Sequence, residues 1–191
     1  MDLKAFVSGE SPALEGKGFA GLVESPPEKP LIAAVEGYAL AGGFEIALSC
    51  DLIIASKSSQ FGVPEVKRGL VAAGGGLLRL PTQTFHRLAM ELALTGDFID
   101  SARAYQTGLV NHVVDDGKSL EAAIEMAEKI CENGPLAVAA SKKIVNNARD
   151  WSNDEMFQKE KVLSTPILTS EDAIEGATAF AEKRTPQWKG K

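Results

Sequence analysis

The sequence is poor in the residues on which many protein chemistries depend. Two cysteines, Cys50 and Cys131, occur among its 191 residues. That is too few for a disulfide framework or a thiolate metal cluster. Both lie in apolar helical patterns and read as buried thiols in a reducing, cytoplasmic setting. Two histidines, His86 and His112, are present. Neither stands at ligand spacing from a Cys or Asp, so a metal centre and a Ser/His/Asp triad both lack support. No signal-peptide pattern is visible, and no apolar run reaches membrane-spanning length. The longest, from Leu31, is broken by Glu36 and Glu45. Basic residues are outnumbered, giving a formal net charge of −6. This argues against general nucleic-acid or membrane-surface binding, but leaves room for a small anionic ligand at a local basic patch. There are no internal repeats or coiled-coil heptads.

What is present is the composition of a globular domain, with 45% hydrophobic and 24% charged residues. The length suits one domain with a real core. The chain is organised around Leu31 to Leu52, LIAAVEGYALAGGFEIALSCDL. Its apolar opening predicts a buried strand that ends at Gly37. Ala41-Gly42-Gly43 then leads into a helix from Phe44, with Phe44, Ala47 and Leu48 on one face. A helix start carries unpaired N–H groups and the positive end of the helix dipole. Gly42 and Gly43 lack a Cβ, so a ligand can come close to that backbone. Donors aimed at one point suit an anion, or an oxygen that turns anionic in a transition state. Glu45 lies in the first helical turn, and a second carboxylate, Glu65, follows in QFGVPE. Together they fit acid–base chemistry beside a polarised carbonyl. Each feature also has a plain structural reading, as a close-packed turn or a dipole partner. The loop is not a nucleotide motif, since it has neither G-x-G-x-x-G spacing nor a P-loop lysine.

The rest of the chain reads in order. Ser8 to Pro30 is a Gly/Pro/Ser/Glu-rich loop with a helical turn expected near Gly18 to Val23. Asp51 to Ser56 and Gln60 to Gly62 read as strands, and strands alternating with helices favour right-handed crossovers. Ala72 to Leu80 is a loop entering a short helix, with Ala73 to Gly76 again placing N–H groups at a helix start. Lys67 and Arg68 are expected to face solvent. Helices are expected over Thr84 to Leu94 and Asp100 to Gln106, with a strand over Leu109 to Val114. Further helices follow over Ser119 to Asn133, Leu136 to Arg149, Asn153 to Ser164 and Ser170 to Glu182. Gly134-Pro135 and Pro166 are read as their separators. Met126, Ile130, Ile144, Phe157 and Leu163 are read as packing residues.

Several motifs in one order carry a family resemblance. Ile32 to Gly37, Ala41-Gly42-Gly43, Leu48 and Cys50-Asp51-Leu52 resemble the signature of the enoyl-CoA hydratase/isomerase (crotonase) family. QFGVPEVKRGLVAAGGGLLRL, Ala89 to Gly96, Ala102 to Val110 and Phe180 to Arg184 are similar to that family's later blocks. The resemblance covers essentially the whole chain. It implies an α/β fold of the ClpP/crotonase type, a spiral core of ββα units with a C-terminal helical oligomerisation region. The core would span residues 1–114 and the helical trimerisation region 115–191. By the same resemblance, Met1 follows the glycine of a donor loop, so the family's early strands and first oxyanion N–H would lie ahead of it.

The implied activity is hydration of a trans-2-enoyl-CoA thioester, in fatty-acid β-oxidation or related acyl-CoA metabolism. Glu45 and Glu65 would be the catalytic carboxylates. Gly42 would donate to the thioester oxygen. Asp2 and Leu3 would border the adenine and pantetheine channel, and Ala73 would contribute to substrate binding. The family more often has Pro-Gly where this chain has Ala72-Ala73. Lys183 would reach coenzyme A phosphates. No metal or redox cofactor is implied, since coenzyme A arrives with the substrate. The expected partner is a second copy, in a homotrimer or a dimer of trimers. Isomerisation, thioester hydrolysis, or acyl-CoA binding without turnover are the other readings of the same motifs.

Overall fold

The computed structural model describes residues 8–9 and 12–191. It divides into two compact units, one of residues 1–27 and 31–124, the other of 28–30 and 125–191.

The first unit opens with a small hairpin, β1 (Ala13–Leu14) antiparallel to β2 (Gly18–Phe19). Turns, not the expected helix, continue to Ser25. The reason is local: Gly16, Gly18, Ala20 and Gly21 all have positive φ, which a right-handed helical turn does not permit. Next come β3 (Ile32–Val35) and β4 (Tyr38–Leu40). Gly37, at φ 69°, turns the chain between them. The strand β4 was not among the expected elements. The helix α1 (Gly42–Ser49) follows, then β5 (Leu52–Ser56) and β6 (Gln60–Gly62). A 3₁₀ turn over Pro64–Arg68 precedes α2 (Gly76–Gln83) and α3 (His86–Thr95). The unit closes with β7 (Ile99–Asp100), α4 (Ser101–Gln106) and β8 (His112–Val114). The side chain of Asp100 accepts from Arg103 N and caps α4.

From β3 to β6, successive strands alternate between two sheets. One is β3-β5-β8, parallel throughout; the other is β4-β6-β7, with β4 and β6 parallel and β7 antiparallel. This strand-to-strand exchange with helical crossovers is the spiral that the motif order implied. The central strand β5 is buried at Ile53, Ile54 and Ala55, as a strand covered on both faces must be. The core gathers Phe44, Leu48, Ile53, Phe61, Leu80 and Leu92. Phe44 and Phe61 are at most 1% exposed and meet at 5.5 Å between centroids, tilted by 56°. Such a tilted pair adds about 1 kcal/mol beyond the area it buries. Phe44 thereby fixes the first turn of α1, which carries Gly42 and Glu45.

The helix α5 (Ser119–Cys131) runs across the 124/125 division. The second unit continues with α6 (Pro135–Asn147), α7 (Met156–Leu168) and α8 (Glu171–Glu182). Pro166 lies inside α7 rather than ending it. Proline removes one backbone bond there, and the stop is set instead by Ser170, whose side chain caps α8 by accepting from Ala173 N at 3.0 Å. The C-terminal strip folds back on α8. Asp172, buried, accepts from Lys189 N at 2.7 Å and Gly190 N at 3.0 Å. Trp188 donates to the Glu132 carbonyl at 2.8 Å. The cysteines are not buried as expected. Cys131 is exposed at the end of α5, flanked by exposed Lys129 and Glu132, and Cys50 is half-buried at the C-cap of α1.

Candidate active site

A cavity of about 790 Å³ opens in the first unit. Gly42, Glu45, Glu65 and Ala73 all line it. Thus residues from Gly42 to Ala73 meet in one place: Gly42 and Glu45 are carried by α1, Glu65 by the 3₁₀ turn and Ala73 by the loop before α2.

Gly42 is the first residue of α1. Its N–H and that of Gly43 have no acceptor four residues back, as in any helix start. The turn into this helix is strained: Ala41 has φ 51° and ψ −129°, a conformation that non-glycine residues seldom adopt. It is held on both sides. Ala41 N donates to Gly62 O at 3.0 Å, while Ala41 O accepts from Phe44 N at 2.9 Å and Glu45 N at 3.0 Å. The kink changes the chain direction between β4 and α1 within one residue and leaves the start of α1 at the cavity. The ring of Phe19, from the hairpin, lies against Gly42; a Cβ there would stand 2.5 Å from Phe19 Cζ. Only glycine allows this approach. Sequence reading did not foresee Phe19, because nothing local ties it to a position twenty-three residues on.

Glu45 is 4% exposed. Its Oε1 accepts from Gly74 N at 2.7 Å and from Gly76 N at 2.9 Å. The N–H groups that the sequence placed at the start of α2 therefore serve Glu45. Glycine is needed at both positions: a Cβ on Gly74 would lie 2.6 Å from Glu45 Oε2, and one on Gly76 2.9 Å from Glu45 Cγ. Ala73, just before this turn, is exposed to the cavity.

Glu65 sits in the 3₁₀ turn, half-buried. Burial pushes its carboxyl above the ordinary glutamate value; its own backbone N–H draws it back, and the charge of Glu45 adds to the rise. Its Oε2 is buried without a hydrogen-bond partner among the described residues. The two carboxylates are thus differently placed. One oxygen of Glu45 is fixed by two backbone donors, while Glu65 keeps an unsatisfied oxygen at a raised proton affinity. A carboxyl of that kind is suited to holding a proton for transfer.

Lys67 and Arg68 are exposed, as expected, and both also line the cavity. Lys67 pairs with Asp97 at 2.6 Å. Lys183 belongs to the second unit, where it is the left-handed C-cap of α8. Asp2 and Leu3 lie outside the described residues. His86 begins α3 and His112 begins β8, and both are exposed. No cluster of potential metal ligands occurs among the described residues. No helix among them is long and apolar enough to cross a membrane.

Strands shared between two sheets with helical crossovers, and a strained strand-to-helix turn beside two carboxylates, fit a crotonase fold. The family model for enoyl-CoA hydratase/isomerase matches residues 22–191, and the chain belongs to that family. Enoyl-CoA hydratase from Mycobacterium tuberculosis H37Rv superposes with a TM-score of 0.98 at 59% identity, over 100% of this chain and 75% of that one. A structure named enoyl-CoA hydratase EchA1 from Mycobacterium marinum matches equally, at 0.98 and 59%, with the same coverage. Among curated proteins, the carnitinyl-CoA dehydratase of Salmonella arizonae is 43% identical over 196 residues, covering 99% of this chain and 75% of its own length.

Proposed function

We propose that this chain hydrates trans-2-enoyl-CoA thioesters. The observation that carries the reading is that Gly42, Glu45 and Glu65 line one cavity. Gly42 N–H donates to the thioester oxygen and stabilises the enolate-like transition state. One such donor is worth about 3 kcal/mol. Glu45, oriented through Oε1, accepts a proton from water as the water oxygen bonds to Cβ. The π electrons shift toward Cα and the thioester, and Glu65 gives its proton to Cα. Proton exchange with solvent restores both carboxyls. Coenzyme A enters and leaves as part of the substrate, and a cytoplasmic setting fits this use.

Dehydration runs the same steps backwards, with Glu65 taking the Cα proton. The similarity to carnitinyl-CoA dehydratases favours that direction as the second reading. Isomerisation needs only one of the two acids, so the pair favours water addition. We infer self-association as a trimer or a dimer of trimers from the apolar side chains left open in the second unit. Phe180 is 87% exposed, and Phe157, read from sequence as a packing residue, is 67% exposed. Sedimentation velocity checks this.

The catalytic test is loss of enoyl absorbance with crotonyl-CoA. Glu45→Gln and Glu65→Gln should each slow hydration by about 10²–10⁴-fold with acyl-CoA affinity little changed. A folded protein that binds acyl-CoA without hydrating it refutes the reading. A full-speed Glu65→Gln removes the proton-donor role.

A further inference from the structure

We propose that Arg68 selects acyl-CoA thioesters whose acyl chain ends in a carboxylate. This deepens the hydratase reading and rests on it for what the cavity holds.

Glu65 and Arg68 belong to the same 3₁₀ turn, Pro64–Arg68. With three residues per turn, side chains three apart eclipse, and one turn advances roughly 6 Å. Arg68 therefore follows Glu65 along one face, and both line the cavity. The other cation of the lining, Lys67, is already neutralised by Asp97 at 2.6 Å, with its ammonium 5.8 Å from the Phe98 ring centroid. Arg68 is different. Its Nη1 makes a long contact with the Lys67 carbonyl at 3.4 Å, and among the described residues no carboxylate lies within ion-pair distance of it. A guanidinium keeps its charge at any working pH and presents a planar fork of donors that fits a carboxylate.

Position decides which anion it meets. The phosphates of coenzyme A are separated from the thioester by the whole pantetheine arm. Arg68 stands one turn from the carboxyl that serves Cα. The anion within its reach is therefore on the acyl side, a few carbons beyond Cβ. Leu70, Val71 and Phe98 supply apolar lining for the intervening methylenes. Glu24 also lines the cavity and would favour a cationic tail instead. Its carboxylate, however, is folded against the hairpin: a Cβ on Gly18 would meet Glu24 Cγ at 2.5 Å and Oε1 at 2.9 Å.

The test is calorimetric titration of the full chain with three saturated six-carbon thioesters that cannot be hydrated. Hexanoyl-CoA has a neutral tail, adipoyl-CoA ends in a carboxylate, and 6-aminohexanoyl-CoA ends in an ammonium. Adipoyl-CoA should bind about tenfold tighter than hexanoyl-CoA, the effect of one charge-assisted pair at a partly solvated site. The aminohexanoyl thioester should bind weakest. Arg68→Met should make adipoyl- and hexanoyl-CoA bind equally, and Arg68→Glu should favour the aminohexanoyl tail. The proposal is overturned if wild type shows no preference for adipoyl-CoA, if that preference survives Arg68→Met, or if the aminohexanoyl tail binds tightest to wild type. Hexanoyl-CoA separates the two levels. If it does not bind, the hydratase reading falls with the proposal; if it binds without charge preference, only the role of Arg68 falls.

Discussion

Gly74→Ala is the most direct probe of how the site is held. Gly74 has no positive φ to lose, so an alanine meets no backbone strain there. The whole effect falls on Glu45. The new Cβ would stand 2.6 Å from Oε2, 2.9 Å from Cδ and 3.3 Å from Oε1. Ordinary van der Waals contact begins near 3.4 Å, so either the carboxylate or the glycine turn must retreat by more than half an ångström. Either movement lengthens the 2.7 Å and 2.9 Å bonds from Gly74 N and Gly76 N. Hydrogen bonds to a charged group contribute about 1.5–3 kcal/mol each. Partial loss of two should destabilise the fold by about 2–3 kcal/mol. The effect on rate should be larger in proportion, since a catalytic group misplaced by about 1 Å costs about 10²-fold. The expected result is therefore a drop of about 100-fold in kcat for crotonyl-CoA hydration, with hexanoyl-CoA affinity within about threefold of wild type. Urea denaturation gives the stability arm. A variant with wild-type kcat and wild-type stability would refute the claim that this turn positions Glu45.

Other perturbations test other parts. Glu36 accepts from Gly117 N at 3.1 Å and Ser119 N at 3.0 Å, and from the Ser119 hydroxyl, which holds its carboxyl at about 2 against the usual 4.5. Because the folded value is depressed, its contribution is present above about 4.5 and is lost as pH falls toward about 2. Glu36→Gln should flatten stability against pH in that window in acid-unfolding curves, and an unchanged slope would refute the assignment. Ala41→Gly relieves the strain at φ 51°, worth about 1–3 kcal/mol, against about 0.5–1 kcal/mol of added chain entropy. It should be neutral or stabilising by urea denaturation; a loss of 1 kcal/mol or more would show that Ala41 is unstrained. Asp172→Ala strands the Lys189 and Gly190 N–H groups and should cost about 1–3 kcal/mol. Limited proteolysis should then cut first near residue 188, and an unchanged pattern would remove the clasp.

Much of this arrangement was readable before the structure, because the signals were local. The run from Leu31 and the Phe44/Ala47/Leu48 face announced β3 and α1 through periodicity alone. Glu45 and Glu65 stood out by their places in a first turn and after a proline. Three kinds of feature were hidden. Tyr38–Leu40 pairs with β6, twenty-two residues away in register, a contact no local pattern reveals. The hydrogen bonds that orient Glu45 span 29 and 31 residues, so composition around Gly74 could show donors but not their acceptor. Pro166 misled because a missing N–H near a helix end costs one bond, while the serine four residues later carries the real start signal. Phe157 reads as a packing residue by hydrophobicity, but it is exposed among the described residues of the chain.

The two glycine stretches divide the labour of the site, and this division explains the unequal carboxylates. Both stretches precede a helix and both offer backbone donors, so on sequence grounds they are equivalent. In the fold, the second set is turned inward and bonds Glu45, while Gly42 lines the cavity. Had Gly74 and Gly76 faced the cavity instead, Glu45 would be a buried acid without those two hydrogen bonds, a costly arrangement. One acid is bonded to two backbone donors and the other is left with a bare buried oxygen; under the proposed hydration the first would receive a proton and the second would give one, and the glycines at 74 and 76 create that difference.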